Sequence, residues 1–302
     1  VDKAEDDECT IRQPSMETEK DVGLALREVQ QLYQQGQYSE ALQVSLGMRD
    51  WLERELGEDH PVYASCLNNI ALMYKMTNEL EDAVHYYAMA LDKYKRTVGT
   101  AHRSYAATLN NLGLVFLLQA QQAEASGGKK LHAMASLESA EATLREALTI
   151  RTQVLEEDDP ALLSTRSNLA SVLQRTGRGA EAEEMLRTTL VLVLERTRGK
   201  KESPEVATAM NNLGYLLKAE GRWEEARVFY KDALRIRRAI FLPDHPQVIV
   251  SMNNLAELCL IIPGSEAEGK ALQEEILGLL SVNESGPGGG GNGYDGKETR
   301  QK

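Results

Sequence analysis

The sequence predicts an all-α fold, a right-handed α-solenoid of about six helix–turn–helix repeats. Three observations predict it. An asparagine recurs at Asn69, Asn111, Asn168, Asn212 and Asn254, at spacings of 42, 57, 44 and 42 residues. A fixed period of roughly 20–50 residues marks a solenoid, and the 57 is one period with a 15-residue insertion. Eight residues ahead of these asparagines stand Pro61, Arg103, Pro160, Pro204 and Pro246. The composition favours helix throughout, with only 8 Pro and 3 Phe in 302 residues.

Each repeat opens in the same way. The segments "GEDHP", "GTAHR", "EEDDP", "KKESP" and "LPDHP" place proline at the first helical position in four cases of five. Its missing N–H would be an orphan there in any event, and Asp or Ser just before it is a natural cap. The first helix follows, carrying "LNNIALMY" or its counterpart. A turn is expected at Asn78, Gly177 and Gly221, residue types that tolerate the left-handed conformation ending a helix. Five residues later a small residue recurs at Ala83, Ala140, Ala182 and Ala226, where the second helix should approach the first closely. Tyr87, Leu144, Leu186 and Tyr230 follow at four residues, then Ala90, Ala147, Thr189 and Ala233 at seven.

The frame extends in both directions. Gly36 and Ala41 fit one more unit at the start, with Leu26 and Arg27 in the asparagine positions, as suits a degenerate cap. "SEAEGKALQEEILGLL" supplies a shortened last helix. The expected organisation is an acidic, disordered segment over 1–21, a solenoid over 22–280 and a Gly-rich, disordered tail over 281–302. The repeats fall near 22–56, 61–98, 103–155, 160–199, 204–241 and 246–280, with the insertion at 119–140 lengthening both helices of its repeat around "SGGKK".

"NNLGYLLKAEGRWEEARVFYKDALRI" carries Leu213, Gly214, Leu217, Gly221, Ala226, Tyr230 and Ala233 at the spacing of the tetratricopeptide repeat, which the chain resembles over about residues 22–280. The 42-residue period and the "DHP…NNLA" frame resemble its kinesin light chain subtype. The resemblance implies peptide contact by Asn69, Asn111, Asn168, Asn212 and Asn254.

A helical wheel gives the residues themselves a say. With Leu213 at 0°, Leu216 and Leu217 form the core stripe, Asn211 and Tyr215 fall at about 160°, Lys218 at about 140° and Asn212 at about 260°. First helices of stacked pairs line the concave side, so the 160° face is the expected groove floor. It reads Asn68, Leu72 and Lys75; Asn110, Leu114 and Leu117; Ser167, Ser171 and Gln174; Asn211, Tyr215 and Lys218; Asn253, Glu257 and Leu260. Arg175 lies beside it, off the central line. A ladder of carboxamides can pair with the N–H and C=O groups of an extended peptide whatever its side chains. The first asparagine of each pair is expected to face the open groove with no helix neighbour to satisfy it. The second, at the seam between repeats, is open to two roles: ligand contact, or fixing the stagger of the next repeat.

Other features bound the function. A formal net charge of −12 argues against a nucleic-acid partner. No run is long enough to span a bilayer, so no membrane insertion is expected. Cys9, Cys66 and Cys259 are widely spaced, which favours a reducing compartment. That is the cytoplasm, or an organelle interior if the Val1 start reflects removal of a transit peptide. Scattered histidines and the lack of catalytic motifs predict no enzyme, no metal and no cofactor. Basic clusters at "DKYKR", "LERTRGKK" and "RIRR" read either as complements to helix dipoles or as an electropositive rim.

The expected function is a non-catalytic adaptor holding a linear peptide motif of a partner protein in the concave groove. Two alternatives stand beside it: an assembly subunit using the convex face or the insertion, and a co-chaperone module gripping an acidic C-terminus. Oligomeric state is not written in the sequence.

Overall fold

Pro61, Pro160, Pro204 and Pro246 each start a helix, and the residue before each accepts a hydrogen bond from an N–H of the first turn. The computed structural model describes residues 19–126, 130–157, 159–197 and 203–284, among which there are twelve α-helices and no strand. They pair as α1 (Glu19–Gln34) with α2 (Tyr38–Glu55), α3 (Pro61–Met76) with α4 (Leu80–Thr97), and α5 (Arg103–Ala125) with α6 (Lys130–Val154). The remaining pairs are α7 (Pro160–Arg175) with α8 (Gly179–Arg196), α9 (Pro204–Ala219) with α10 (Trp223–Ile240), and α11 (Pro246–Ile261) with α12 (Glu266–Glu284). Cys9, nearly all of the acidic start, the middle of the "SGGKK" turn, the end of "LERTRGKK" and most of the Gly-rich tail lie outside the described residues.

The turn inside a pair needs a left-handed residue. Gly221 (φ 76°) and Asn78 (φ 67°) supply it, the latter as a non-glycine. After α9 the Arg222 N–H reaches back to the Leu217 carbonyl at 2.9 Å, and after α3 the Glu79 N–H reaches the Tyr74 carbonyl at 2.9 Å. This capping pattern satisfies carbonyls that the helix end would otherwise orphan.

The small residues do mark close approach. Ala83, Ala140, Ala182 and Ala226 have no exposed surface. Opposite Ala226, Gly214 leaves room for the fully buried Tyr230, whose ring carbon would lie 2.8 Å from a Cβ there. The wheel holds too, since Leu213, Leu216 and Leu217 are all buried.

The chain forms two compact units, residues 1–150 and 151–302. The first is built on Met48, Leu52, Tyr63, Leu67 and Ile70, with a second cluster of Ala71, Leu80, Ala83, Tyr87, Leu112 and Val115. Its α5 and α6 run 23 and 25 residues against 16 and 18 for α3 and α4. The second unit packs Leu163, Val193, Val206, Ala207, Ala233 and Ile236. Each buried Val, Leu, Ile or Met side chain contributes about 1.5–3 kcal/mol. Within each unit helices pack in chain order, and first helices also touch across repeats: α3 on α5, α7 on α9, α9 on α11.

A buried arginine closes some of the repeat junctions. The Arg237 guanidinium, at the end of α10, donates to the Gln247 carbonyl (3.2 Å), to Ser251 Oγ (2.6 Å) and to Thr208 Oγ1 (3.3 Å). Arg151 repeats the arrangement on the Ala161 carbonyl (2.6 Å) and Thr165 Oγ1. Both stand nine residues before the helix-starting proline.

Candidate functional site

First-helix contact across repeats corrects one expectation about the asparagines. The wheel treats a helix alone and leaves its 160° face open. In the first unit Asn110 is instead buried, as is Leu117, and Asn68 accepts a hydrogen bond from Thr108 of α5 at 3.0 Å. In the second, Asn254 Nδ2 donates to Asn211 Oδ1 at 2.9 Å, joining α11 to α9. So Asn68 and Asn211 are not without a neighbour, because the first helix of the next repeat lies against each. Asn254, a second asparagine, stands at the seam between repeats and bonds across it.

In the first unit, α3 presents Asn69, Leu72 and Lys75 and α5 presents Asn111 and Leu114, all half-buried. Among the described residues no carboxylate pairs with Lys75, and desolvation holds its ammonium below the usual lysine range. Tyr74 stacks on Tyr86 beside it, ring centroids 5.4 Å apart.

In the second unit, Asn168, Ser171 and Arg175 of α7 are half-buried, as are Asn211, Asn212 and Lys218 of α9 and Asn254 of α11. Tyr215 is 55% exposed and Asn253 is exposed. Ser167, Ser171 and Gln174 of α7 meet Asn212 and Tyr215 of α9 around a shallow recess floored by Leu186 and Leu216. Two successive repeats thus bring hydroxyl, carboxamide and phenol groups to one place. Lys218 Nζ lies 2.8 Å from Glu257 Oε2, so this cation is already paired across to α11.

The second-helix face of this unit is occupied by its own charges. Glu183 of α8 accepts from Arg187 of the same helix and from Arg222 at the start of α10, each at 2.7 Å. Both arginines hold its carboxyl below the usual carboxylate range. Lys231 of α10 bonds Glu268 of α12 at 2.7 Å, and Arg238 bonds Glu275 at 2.8 Å. Of the basic clusters, Arg237 closes a repeat junction, while Lys93 is buried against Glu58 and beneath it the Tyr63 ring. Arg96 pairs with Asp92. Each of these cations is engaged within the protein.

Two features escaped the sequence reading. His60, His102 and His245 serve as N-caps, each Nδ1 accepting a backbone N–H at 3.1–3.3 Å. Their place just before the first helical residue was the available signal. The arginine junction could have been found from its fixed distance to the next proline. Burial pushes the Cys66 thiol up to about 12 and raises that of Cys259, so both are thiols rather than thiolates at neutral pH. Among the described residues no group of His, Cys, Asp and Glu could hold a metal ion, and no helix is long and apolar enough to cross a membrane.

Comparison with known proteins agrees with this architecture. The tetratricopeptide repeat family model matches residues 25–96, 131–192 and 205–264. The clustered mitochondria protein homolog of Aspergillus clavatus is 31% identical over 111 residues, which is 37% of this chain and 9% of the relative; the chain thus spans about a tenth or less of that protein. Among solved structures, a kinesin light chain of nearly identical TPR-like repeats from Podosopora anserina superposes with a TM-score of 0.52 at 19% identity, covering 75% of this chain and 99% of its own. BtubC (BKLC) from P. vanneervenii superposes with a TM-score of 0.55 at 15% identity, covering 94% and 98%. With the family model matching more than half of its length, and with kinesin-light-chain-like repeats as its structural neighbours, the chain belongs to the tetratricopeptide repeat family.

Proposed function

We propose that the first-helix face binds an extended peptide segment of a partner protein. The tetratricopeptide array is a protein–protein interaction module, and the finer assignment concerns which face is used and for what. The recess between α7 and α9 carries it, since polar groups of two successive repeats converge there beside the exposed Tyr215 ring. Such a surface offers main-chain pairing along a strand and a platform for one side chain. Nothing in it calls for catalysis, metal or cofactor. The opposite face of the same unit has spent its charges on ion pairs between its own helices, which leaves it less to offer a partner.

The co-chaperone reading draws less support. It needs several cations converging on one carboxylate, and Lys218 is neutralised by Glu257.

Peptides selected from a displayed random library on the intact protein test the proposal. Replacing Tyr215 and Asn212 by alanine should weaken the selected peptides about tenfold or more, the scale of losing an aromatic anchor and a hydrogen bond. Val228→Ala, on the exposed side of α10, should leave binding unchanged. Peptides that ignore Tyr215 and Asn212, or that respond to Val228, would overturn it.

A further inference from the structure

The insertion builds a second surface, independent of the first-helix face. α5 and α6 are longer than α3 and α4, and their extra length overhangs the turn between those helices, where Gln122 Nε2 donates to Asn78 Oδ1 at 2.7 Å. A cavity of about 310 Å³ opens under the overhang. Glu81 of α4, Phe116, Gln119 and Gln122 of α5, and His132 and Ser136 of α6 line it, with Ser126 and Ser139 at its edges. That volume is at the small end of ligand pockets, which run from roughly 300 to 1,000 Å³. It has room for one long side chain.

Two hydroxyls at the cavity are already committed as donors. Ser126 donates its hydroxyl hydrogen to the Gln122 carbonyl at 2.7 Å, and Ser139 donates to the Ala135 carbonyl at 3.0 Å. Both hydroxyls therefore turn lone pairs, not hydrogens, towards a guest. Gln122 donates one amide hydrogen to Asn78 and has a second amide hydrogen and a carbonyl oxygen besides. Glu81 is exposed and has no ion pair among the described residues. The lining thus sets the Glu81 carboxylate, the two hydroxyl oxygens and the Gln122 carbonyl oxygen on or at the ends of three helices, with the Phe116 ring among them, beside groups that can also donate, the His132 imidazole, the Gln119 amide and the Ser136 hydroxyl.

We propose that this cavity takes the guanidinium of an arginine side chain presented by a partner protein. A planar group with five donors suits acceptors spread over α4, α5 and α6, where a compact ammonium could reach fewer of them. Glu81 supplies the counter-charge and Phe116 an aromatic surface for the cation. Ala123 and Ala135, also in the lining, suit the aliphatic stem.

The test is an amide-resolved NMR titration of the full chain with N-acetyl-arginine N-methylamide, its citrulline and lysine counterparts, and agmatine. Saturable shifts are expected at the amides of Ala123, Ala135 and Ser136. Citrulline, an uncharged near-isostere, should bind about tenfold more weakly, and so should arginine on Glu81→Gln, as befits loss of a charged hydrogen bond. The lysine compound should also bind more weakly than arginine. The proposal is overturned by shifts that are absent or lie elsewhere, by affinity unchanged in Glu81→Gln, or by citrulline or lysine binding equally. Agmatine binding about tenfold tighter than blocked arginine would overturn the protein-borne source in favour of a free small molecule.

Discussion

His60, His102 and His245 hold the N-cap position that Asp159 and Ser203 hold in the other repeats. An imidazole can serve because Nδ1 carries a lone pair when the ring proton is on Nε2. The cap was legible in the sequence where the residue was Asp or Ser, whose capping habit is strong. It was not legible where the residue was His, since the ring accepts only in one tautomer and one rotamer. Replacing His60 by alanine should cost about 1 kcal/mol, and replacing it by asparagine only a few tenths, because the carboxamide restores the acceptor. Urea denaturation of the two variants checks this, and equal losses would mean that ring packing, not capping, is what His60 contributes. The asparagines give the reverse lesson. Their phase along the chain was evident, yet Asn110 is buried and Asn211 is bonded to Asn254. A wheel knows the helix and its core but not the helix of the next repeat.

At the scale of elements, repeats are joined by groups that periodicity alone does not reveal. Arg237 is buried with no carboxylate among its hydrogen-bond partners, and desolvation holds its guanidinium below the usual arginine range. It is held by neutral acceptors of α11 and α9. Arg237→Met relieves that desolvation but leaves Ser251 and the Gln247 carbonyl without their donor. The net cost should be about 1–3 kcal/mol. Hydrogen exchange should rise first in the opening turns of α11, and uniform loosening of the second unit would contradict a local junction.

The ion pairs between second helices act differently, since each exposed pair contributes only about 0–1 kcal/mol. Glu183 has its folded value lowered from the ordinary 4.5 by Arg222 and Arg187, and Glu268 has its value lowered by Lys231. A lowered folded value means stabilisation that is present above the unfolded value and lost as pH falls through the folded one. Melting temperature should therefore fall as pH drops below about 4.5, the ordinary value of the group. Glu183→Gln should flatten that part of the profile, and an unchanged profile would show that this carboxylate does not contribute to the acid response.

For the whole molecule, the repeat period carried almost all of the fold. Proline at the start of a helix, a left-handed residue at the turn and alanine at the close approach are local requirements, and each leaves a mark at fixed phase. Twelve helices among the described residues follow from them. The candidate site was legible only in outline, as a face rather than as a set of contacts. Side chains of two successive first helices line one recess at Tyr215 and Asn212, whereas the cavity under the insertion depends on an overhang that no repeat shares. Binding on the first-helix face is the central claim, and photocrosslinking tests it most directly. With p-benzoylphenylalanine in place of Tyr215 or of Val228, a library-selected peptide should crosslink from position 215 and not from position 228. Crosslinking from 228 alone would place the partner on the second-helix face and contradict the claim.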